Sequence, residues 1–345
     1  MEMTTHQRPG VYSAYDVSSA GGGRRGNMAV GIVAQGSSDN MGTLCRVTRY
    51  EEAVGLYGAS AKITELVRLA LLNGAGAVSC VEVVSEDMYV TAMALLGTVE
   101  DVTVMLCDST RLGVQQDLRE AVVEASKGRR ERIGVIAGES NETATAMVTR
   151  VASINSERIV MLAPPPAGAN GISLAAAFAG ALAAEPDPAV PMSGVALKGV
   201  GPLARRYREN EVDQLILGGV TPLEEEGGIV SVVRAVTTKT KVGQTPDSTW
   251  RELTTVRIVD DVIPSIRNEL KVKFRRAKNT EQTRGAIRSQ VVMALERKRD
   301  QEIIDGYGQV TVTAKEEDPT VCLVEFSFAV AHGLNQIWLS AHITV

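Results

Sequence analysis

Between residues 28 and 184, short and almost unbroken apolar runs alternate with longer amphipathic stretches, and few folds accommodate that pattern. The runs are "MAVGIVAQ", "AVSCVEVV", "DVTVMLCDS", "RIGVIAGE" and "RIVMLAPPP". Among them stand "AKITELVRLALLNG", "VQQDLREAVVEASKG" and "ETATAMVTRVASIN", and the Ala-rich "SLAAAFAGALAA" follows. A strand that is apolar on both sides has to be buried on both sides. In "AKITELVRLALL", Ile63, Leu66, Val67, Ala70 and Leu71 recur at helical spacing and form one apolar stripe. The alternation therefore predicts an α/β fold: a layered, parallel-type sheet with helices on both faces. "SLAAAFAGALAA" is shorter than the roughly 18 residues that cross a bilayer, so it reads as a buried helix and no membrane insertion is expected. The start, "MEMTTHQRPG", has no hydrophobic segment of the secretory kind, and a soluble protein is expected.

The two ends have a different character. "RPGVYSAYDV" (8–17) is expected to be extended, because Pro9 fixes its own φ and biases Arg8 away from the helix. "SSAGGGRRGN" (18–27) reads as a linker with nothing to bury. From about residue 250, "TTVRIVDDVIPSIRNELKVKF" and "NTEQTRGAIRSQVVMALERKRDQ" read as helices, the second carrying Ile287, Val291 and Leu295 on one face. Asn279, three residues before Gln282, is the expected cap of that second helix. "QVTVTAKEEDPTVCLVEFSFAV" reads as a hairpin turning at "EEDP". The last segment, "LNQIWLSAHITV", reads as an alternating strand: Ile337, Leu339, Ala341, Ile343 and Val345 are apolar, with Trp338 and then Ser340, His342 and Thr344 between them. That is a strand with one buried face, and a lone two-stranded hairpin is marginal in water, so this region wants additional strands. The predicted organisation is an N-terminal arm and linker at 1–27 and an α/β body at 28–249. A smaller α+β C-terminal domain follows at 250–331, and a C-terminal arm at 332–345.

Motifs for catalysis are sparse. "GAGAVS" (74–79) precedes its strand, "GVGPLA" (199–204) does not complete G-x-G-x-x-G ahead of a helix, and G-x-x-x-x-G-K-[ST] is absent. "GGGRRG" lacks a following helix start and reads as linker. Asp108 closes "VMLCDS", where α/β enzymes keep functional acids, but without partners nearby in sequence it reads as a solvated loop acid or a helix cap. "PLEEEGG" (222–228) reads as a solvated acidic loop. The three histidines are His6, His332 and His342, so any Ser-His-Asp or Cys-His arrangement between 7 and 331 lacks its base and no two-His metal site can form there. Cys45, Cys80, Cys107 and Cys322 show neither a CxxC nor a zinc spacing and are expected to be reduced core thiols. Catalytic, cofactor-binding and metal residues are accordingly expected to be none.

"RPGVY", "RYEEAVGLYG", "LALLNGAGAVSCVEVV" and "LILGGVTPLEEEGGIVSVVRAVTT" (215–238), together with the helix–hairpin–strand ending, resemble contractile tail sheath proteins. Such sheaths belong to phages, phage-tail-like bacteriocins and injection systems. The likeness spans nearly the whole chain and is strongest from about residue 195 onward. The 345-residue length resembles compact sheaths of the diffocin-like or Mu-like kind. The family's α/β domain is called subtilisin-like, which here describes topology alone, since no histidine completes a triad.

The resemblance implies a subunit that polymerises helically around a tail tube and contracts to drive the tube through a target envelope. It implies assembly in the bacterial cytoplasm into a virion or phage-tail-like particle. The implied partners are further copies of the chain, the tail tube protein, and baseplate and tail terminator proteins. It also implies that the terminal arms add strands to neighbouring subunits. The donors would be Val11, Tyr12, Ala14, Tyr15, Val17, Ile337, Leu339, Ala341, Ile343 and Val345. The acceptor would be the hairpin bearing Val310, Val312, Val324, Phe326 and Phe328. Donor and acceptor are different surfaces, so the contact propagates as an open helix.

Net charge is −5, yet residues 267–299 hold eleven Lys or Arg against Glu269, Glu281 and Glu296. The resemblance makes Lys271, Lys273, Arg275, Arg276, Lys278, Arg284 and Arg288 a face toward an acidic tube. A merely solvated helical face is the alternative. Nucleic acid is not expected, since Phe274 is the one aromatic residue among these charges and the net charge is unfavourable. Two other readings stay open: a nucleotide- or phosphate-dependent α/β enzyme with a small C-terminal oligomerisation domain, and an adaptor that adds strands to one partner without polymerising.

Overall fold

The computed structural model describes residues 28–335 of the chain. The body begins β1 (Ala29–Gln35), β2 (Leu44–Val47), α1 (Tyr50–Tyr57), α2 (Lys62–Leu72), β3 (Ala77–Val83), α3 (Tyr89–Gly97) and β4 (Val102–Cys107). It continues α4 (Leu112–Lys127), β5 (Ile133–Ala137), α5 (Ala144–Ile154), β6 (Ile159–Ala163) and α6 (Ile172–Ala184). Then come β7 (Ala196–Leu197), α7 (Glu209–Leu217), β8 (Thr221–Glu226), β9 (Ile229–Val232) and a short ribbon, β10 (Lys241–Val242) with β11 (Thr245–Pro246).

Nine strands form one sheet in the order β2-β3-β1-β4-β5-β6-β8-β9-β7. The neighbours from β3 to β8 pair in parallel, while β2 at one edge and β9 and β7 at the other are antiparallel. Every residue of β3, β5 and β6 is buried, which is why these strands read as unbroken apolar runs. One face packs against α2 and α6 through Ile63, Leu66, Val67, Leu174 and Phe178. The other packs against α3, α4 and α5 through Met93, Leu96, Leu118, Met147 and Val151. The small residues of α6 allow it to lie directly on α2. At Gly180 a Cβ would stand 2.2 Å from the carbonyl oxygen of Ala70, so only glycine permits that approach.

Residues 222–228 depart from expectation. They form most of β8 and the turn to β9, paired Leu223↔Val232 to Glu226↔Ile229, not a solvated loop. Gly227 and Gly228, at φ 59 and 79, supply the two left-handed residues that a tight hairpin turn needs. β8 lies on β6 only over Thr221 and Pro222, so its acidic half projects beyond the parallel sheet, where polar residues are tolerated. Glu225 is half-buried and its carboxylate accepts the Leu203 N–H at 2.9 Å.

Beyond the body lie α8 (Leu253–Phe274), α9 (Glu281–Asp300), β12 (Ile304–Tyr307), β13 (Thr311–Ala314), β14 (Cys322–Glu325) and β15 (Phe328–Val330). The first turn of α8 places Leu253 and Val256 in the body's core. Farther along, Ile258, Val262 and Ile266 join Val291, Ala294 and Leu295 of α9 and Ile304, Val310 and Val312 in a third, separate core. The expected cap of α9 is displaced by one residue. Thr280 is the cap, its hydroxyl accepting Thr283 N–H at 3.2 Å. Asn279 is used otherwise: its amide donates to the carbonyls of Pro319 at 2.7 Å and Val321 at 3.3 Å, which ties the helical turn to the hairpin turn. A β-hydroxyl reaches N3 from the cap position, so either residue type fits the pattern and the sequence did not discriminate between them.

Candidate assembly surface

In an open sheet of order β3-β1-β4, ligands enter at the carboxyl ends of β1 and β4, where the strand order reverses. That place is filled by the protein's own groups. Asp108, 7% exposed, is neither a solvated loop acid nor a helix cap. Its carboxylate accepts from the Gln35 N–H at 3.2 Å and from the Tyr89 hydroxyl, with Lys62 Nζ at 3.5 Å. Lys62 also donates to the Asp108 carbonyl at 3.1 Å. Burial first, and then the bond to Asp108, pushes the Tyr89 phenol up, so Tyr89 remains the donor. Alongside, buried Glu82 accepts from Ser38 through both its N–H, at 2.9 Å, and its hydroxyl. A Cβ at Gly36 would collide with Glu82 Oε1. These carboxylates hold loops together.

The C-terminal strands make one bent antiparallel ribbon. β13 pairs with β14 over Thr311↔Glu325 to Ala314↔Cys322, which forms the expected hairpin. The ribbon continues where the sequence showed no strand, since β12 pairs with β15 and Gly308 N–H donates to Ser327 carbonyl at 2.8 Å between the two paired stretches. "DGYG" hid β12, because glycines and an aspartate depress strand propensity.

The two strands are covered very unequally. Ile304, Val310 and Val312 are buried on the first. On the second, exposure alternates strictly from Val321 to Val330, yet no residue is fully buried. The inner-face Val324, Phe326 and Phe328 stay half-covered, with the two phenylalanine rings stacked at 6.4 Å between centroids. Among the described residues no third strand lies on either edge.

The α8–α9 hairpin sorts its basic residues into two groups. Arg267 pairs with Glu131 at 2.9 Å, Arg297 with Glu269 at 2.5 Å, Lys298 with Asp261 and Arg299 with Glu296. Lys273 donates to the Gln290 amide, and Arg284 to Asn279 Oδ1 at 3.1 Å. Lys271, Arg275, Arg276, Lys278 and Arg288 are exposed and have no acidic partner among the described residues. Lys271, Arg275, Arg276 and Lys278 lie in the last turn of α8 and the turn that follows it, and Arg288 lies two turns into α9. Of the seven basic residues singled out from the sequence, five thus form a free cluster and two are tethered.

Where α8 crosses the body's edge, Asp260 pairs with Arg158 beside a groove of about 350 Å³ that Glu131 and Glu157 also line. Desolvation pushes the Asp260 carboxyl up to about 6 against the opposing pull of Arg158. Arg257 donates to the carbonyls of Glu185 at 2.8 Å and Val190 at 3.0 Å, fixing the 185–192 loop to α8. Both ends of the described chain come to this loop. Met28 shares a groove with Pro186 and Pro188, and Gly333 is packed against Pro191. The donor positions Val11, Tyr12, Ala14, Tyr15 and Val17, and Ile337, Leu339, Ala341, Ile343 and Val345, lie outside the described residues.

Residues 82–238 match the family described as the phage tail sheath protein central domain, and residues 245–344 match the phage tail sheath C-terminal domain. The tail sheath protein of Bacillus phage SP01 is 27% identical over 257 residues, which is 70% of this chain and 43% of the relative, so the chain spans less than half of that curated protein. The anti-feeding prophage helical sheath in its contracted state superposes with a TM-score of 0.73 at 16% identity, over 98% of this chain and 99% of that one. A sheath tail protein from Desulfitobacterium hafniense gives 0.70 at 10% identity, over 93% and 100%. One from Listeria innocua gives 0.68 at 12%, over 88% and 95%. At such identities the structural likeness is one of fold.

Proposed function

The chain belongs to the phage tail sheath family, and from that premise we propose that it is a structural, non-catalytic subunit that polymerises helically around a tail tube and contracts to drive the tube through a target envelope. The reading of an α/β enzyme with an oligomerisation domain draws no support from these matches. In the proposed arrangement residues 28–249 form the outer body and residues 250–331 the inner, tube-facing domain. The arms at 1–27 and 332–345 are donated to neighbouring subunits. The subunit assembles in a bacterial cytoplasm and ends in a virion or phage-tail-like particle, in contact with tube, baseplate and tail terminator proteins.

The observation that carries the proposal is the half-covered second strand of the ribbon. Its inner row, Val324, Phe326 and Phe328, is too open for a finished core, and its outer edge, unpaired among the described residues, offers backbone groups to an incoming strand. The proposed acceptor remains the hairpin bearing Val310, Val312, Val324, Phe326 and Phe328, and the burial of Val310 and Val312 against α8 and α9 favours docking along the strand 322–330. The tail segment, whose Leu339, Ala341, Ile343 and Val345 alternate with Ser340, His342 and Thr344 and continue the row begun by Ile337, has the complementary pattern. Both arms depart near the 185–192 loop, so one side of the subunit can serve two neighbours. The free basic cluster around the α8–α9 turn suits an acidic tube surface.

Negative-stain microscopy of the purified full chain, alone and with tubes, tests the proposal. Tubes or stacked rings are expected. Uniform small oligomers that neither lengthen nor decorate a tube would overturn it.

A further inference from the structure

We propose that Cys45 and Cys80 are an oxidation site: a thiol pair on neighbouring strands that closes to a disulfide when the protein meets a low-molecular-weight disulfide, fastening the outermost strand of the sheet. β2 is that outermost strand, held by β3 on one side and nothing on the other among the described residues. In the antiparallel register Cys45 stands directly opposite Cys80. Directly opposed residues project to the same face, with Cα atoms about 4.5 or 5.5 Å apart according to the hydrogen-bonding phase. Both values lie within the roughly 4.4–6.8 Å that a disulfide spans.

Their common face is visible in the packing. Val47 and Cys80 are in the core with Tyr57, Cys45 packs against it, and the alternate residues Leu44 and Arg46 are exposed on the other side. Among the described residues the buried Tyr57 hydroxyl has no hydrogen-bonding oxygen or nitrogen. Burial, and then the neighbouring Cys80 and Cys45, push its phenol up, as expected for a phenol beside both sulfurs. Both cysteines are free in the structure.

The chemistry follows from unequal access. Cys45 is half-buried and Cys80 fully buried. Burial holds the Cys80 thiol up, so it does not react with solutes by itself. A disulfide such as oxidised glutathione is attacked by the Cys45 thiolate, giving a Cys45–glutathione mixed disulfide and releasing one glutathione thiol. Cys80 then gives up its proton and attacks the Cys45 sulfur, expelling the second glutathione. The two cysteines lose two electrons and two protons, and the oxidant leaves as two thiols. The closed loop from 45 to 80 includes β2, α1, α2 and most of β3, so the bond restrains the unfolded chain over that length. The pair stays open in a reducing compartment and closes outside it. The other two cysteines have no such partner: Cys322 stands opposite Ala314, and Cys107 is buried on the other face of the sheet.

The test incubates the native full chain with oxidised glutathione, alkylates remaining thiols, and maps peptides under non-reducing conditions. A linked Cys45–Cys80 peptide is expected, two hydrogens lighter than its reduced parts and reversed by dithiothreitol, with only a glutathione adduct on Cys322. The oxidised protein should melt several degrees higher than the reduced form, and Cys45→Ser, which leaves the buried Cys80 in place, should abolish both link and gain. The proposal is overturned if Cys45 stops at the glutathione adduct or links two chains while Cys80 stays alkylatable after denaturation. It is equally overturned if Cys45→Ser gains the same thermal stability on oxidation.

Discussion

Replacing Asp260 by Asn at the crossing of α8 and the body should alter the pH dependence of stability in a definite direction. Burial raises this carboxyl from its ordinary 3.8 to about 6, while Arg158 opposes the rise. A raised folded-state pKa means the folded protein holds a proton that the unfolded chain has already released. This group's contribution to stability is therefore fully present below about pH 4 and lost as pH rises to about 6. A shift of roughly 2 units corresponds to about 3 kcal/mol. Asn keeps the shape and does not titrate. Urea melts of both proteins at intervals from pH 4 to pH 7 give the stability gap at each pH, which cancels the other carboxylates. The gap, wild type minus Asp260→Asn, should fall by about 2–3 kcal/mol over that range. A flat gap would mean the carboxylate is not desolvated where α8 meets the body. A gap that rises with pH would mean the ion pair with Arg158 outweighs burial, and either result refutes the reasoning.

The remaining expectations concern the core and the charged tip. Arg132 is 1% exposed and donates to the carbonyls of Leu96 and Val99, each at 2.8 Å, and of Arg130 at 3.1 Å, so Arg132→Ala removes three hydrogen bonds together with a large buried side chain and should cost about 3–5 kcal/mol in a chemical melt. Reversing the free cluster, Lys271, Arg275, Arg276 and Lys278 to Glu, should weaken decoration of tubes and lessen its salt sensitivity. Stability should change by less than about 0.5 kcal/mol per site, and unchanged decoration would make the cluster merely solvated. Because Asp108 is consumed by Gln35, Tyr89 and Lys62, purified protein should show no thermal shift with nucleotides and no peptidase turnover; a shift of several degrees would count against a structural role.

What the sequence revealed and what it hid have the same physical origin. β1 and β3 to β6 were legible because burial on both faces leaves little room for polar residues, and the stripes of α2 and α9 because one face of each is buried. β8 was misread since its acidic half extends past the parallel sheet, and β12 went unseen because Gly306 and Asp305 weaken the signal. Asp108 resembled a loop acid because its partners come from 19, 46 and 73 residues away, a separation no local pattern records. The Cys45–Cys80 register likewise exists only once β2 folds back on β3. The sorting of basic residues into tethered and free depends on which carboxylate α8 brings opposite α9, as Glu269 with Arg297.

The central claim is that the C-terminal tail belongs to another subunit's ribbon, and ending the chain after Gly333 tests it most directly. That truncation keeps the packing of Gly333 on Pro191 and removes the alternating row Ile337, Leu339, Ala341 and Ile343. At about 25 cal/mol per Å² of apolar area, the row contributes several kcal/mol at each junction when it is buried. The measurement pairs the melting temperature of the dissociated subunit with its polymerisation, followed by light scattering and microscopy. The account predicts an unchanged melting temperature and no polymer. A subunit that melts several degrees lower would place the tail on its own ribbon, and tubes forming at the full-length rate would remove it from assembly altogether; either contradicts the claim.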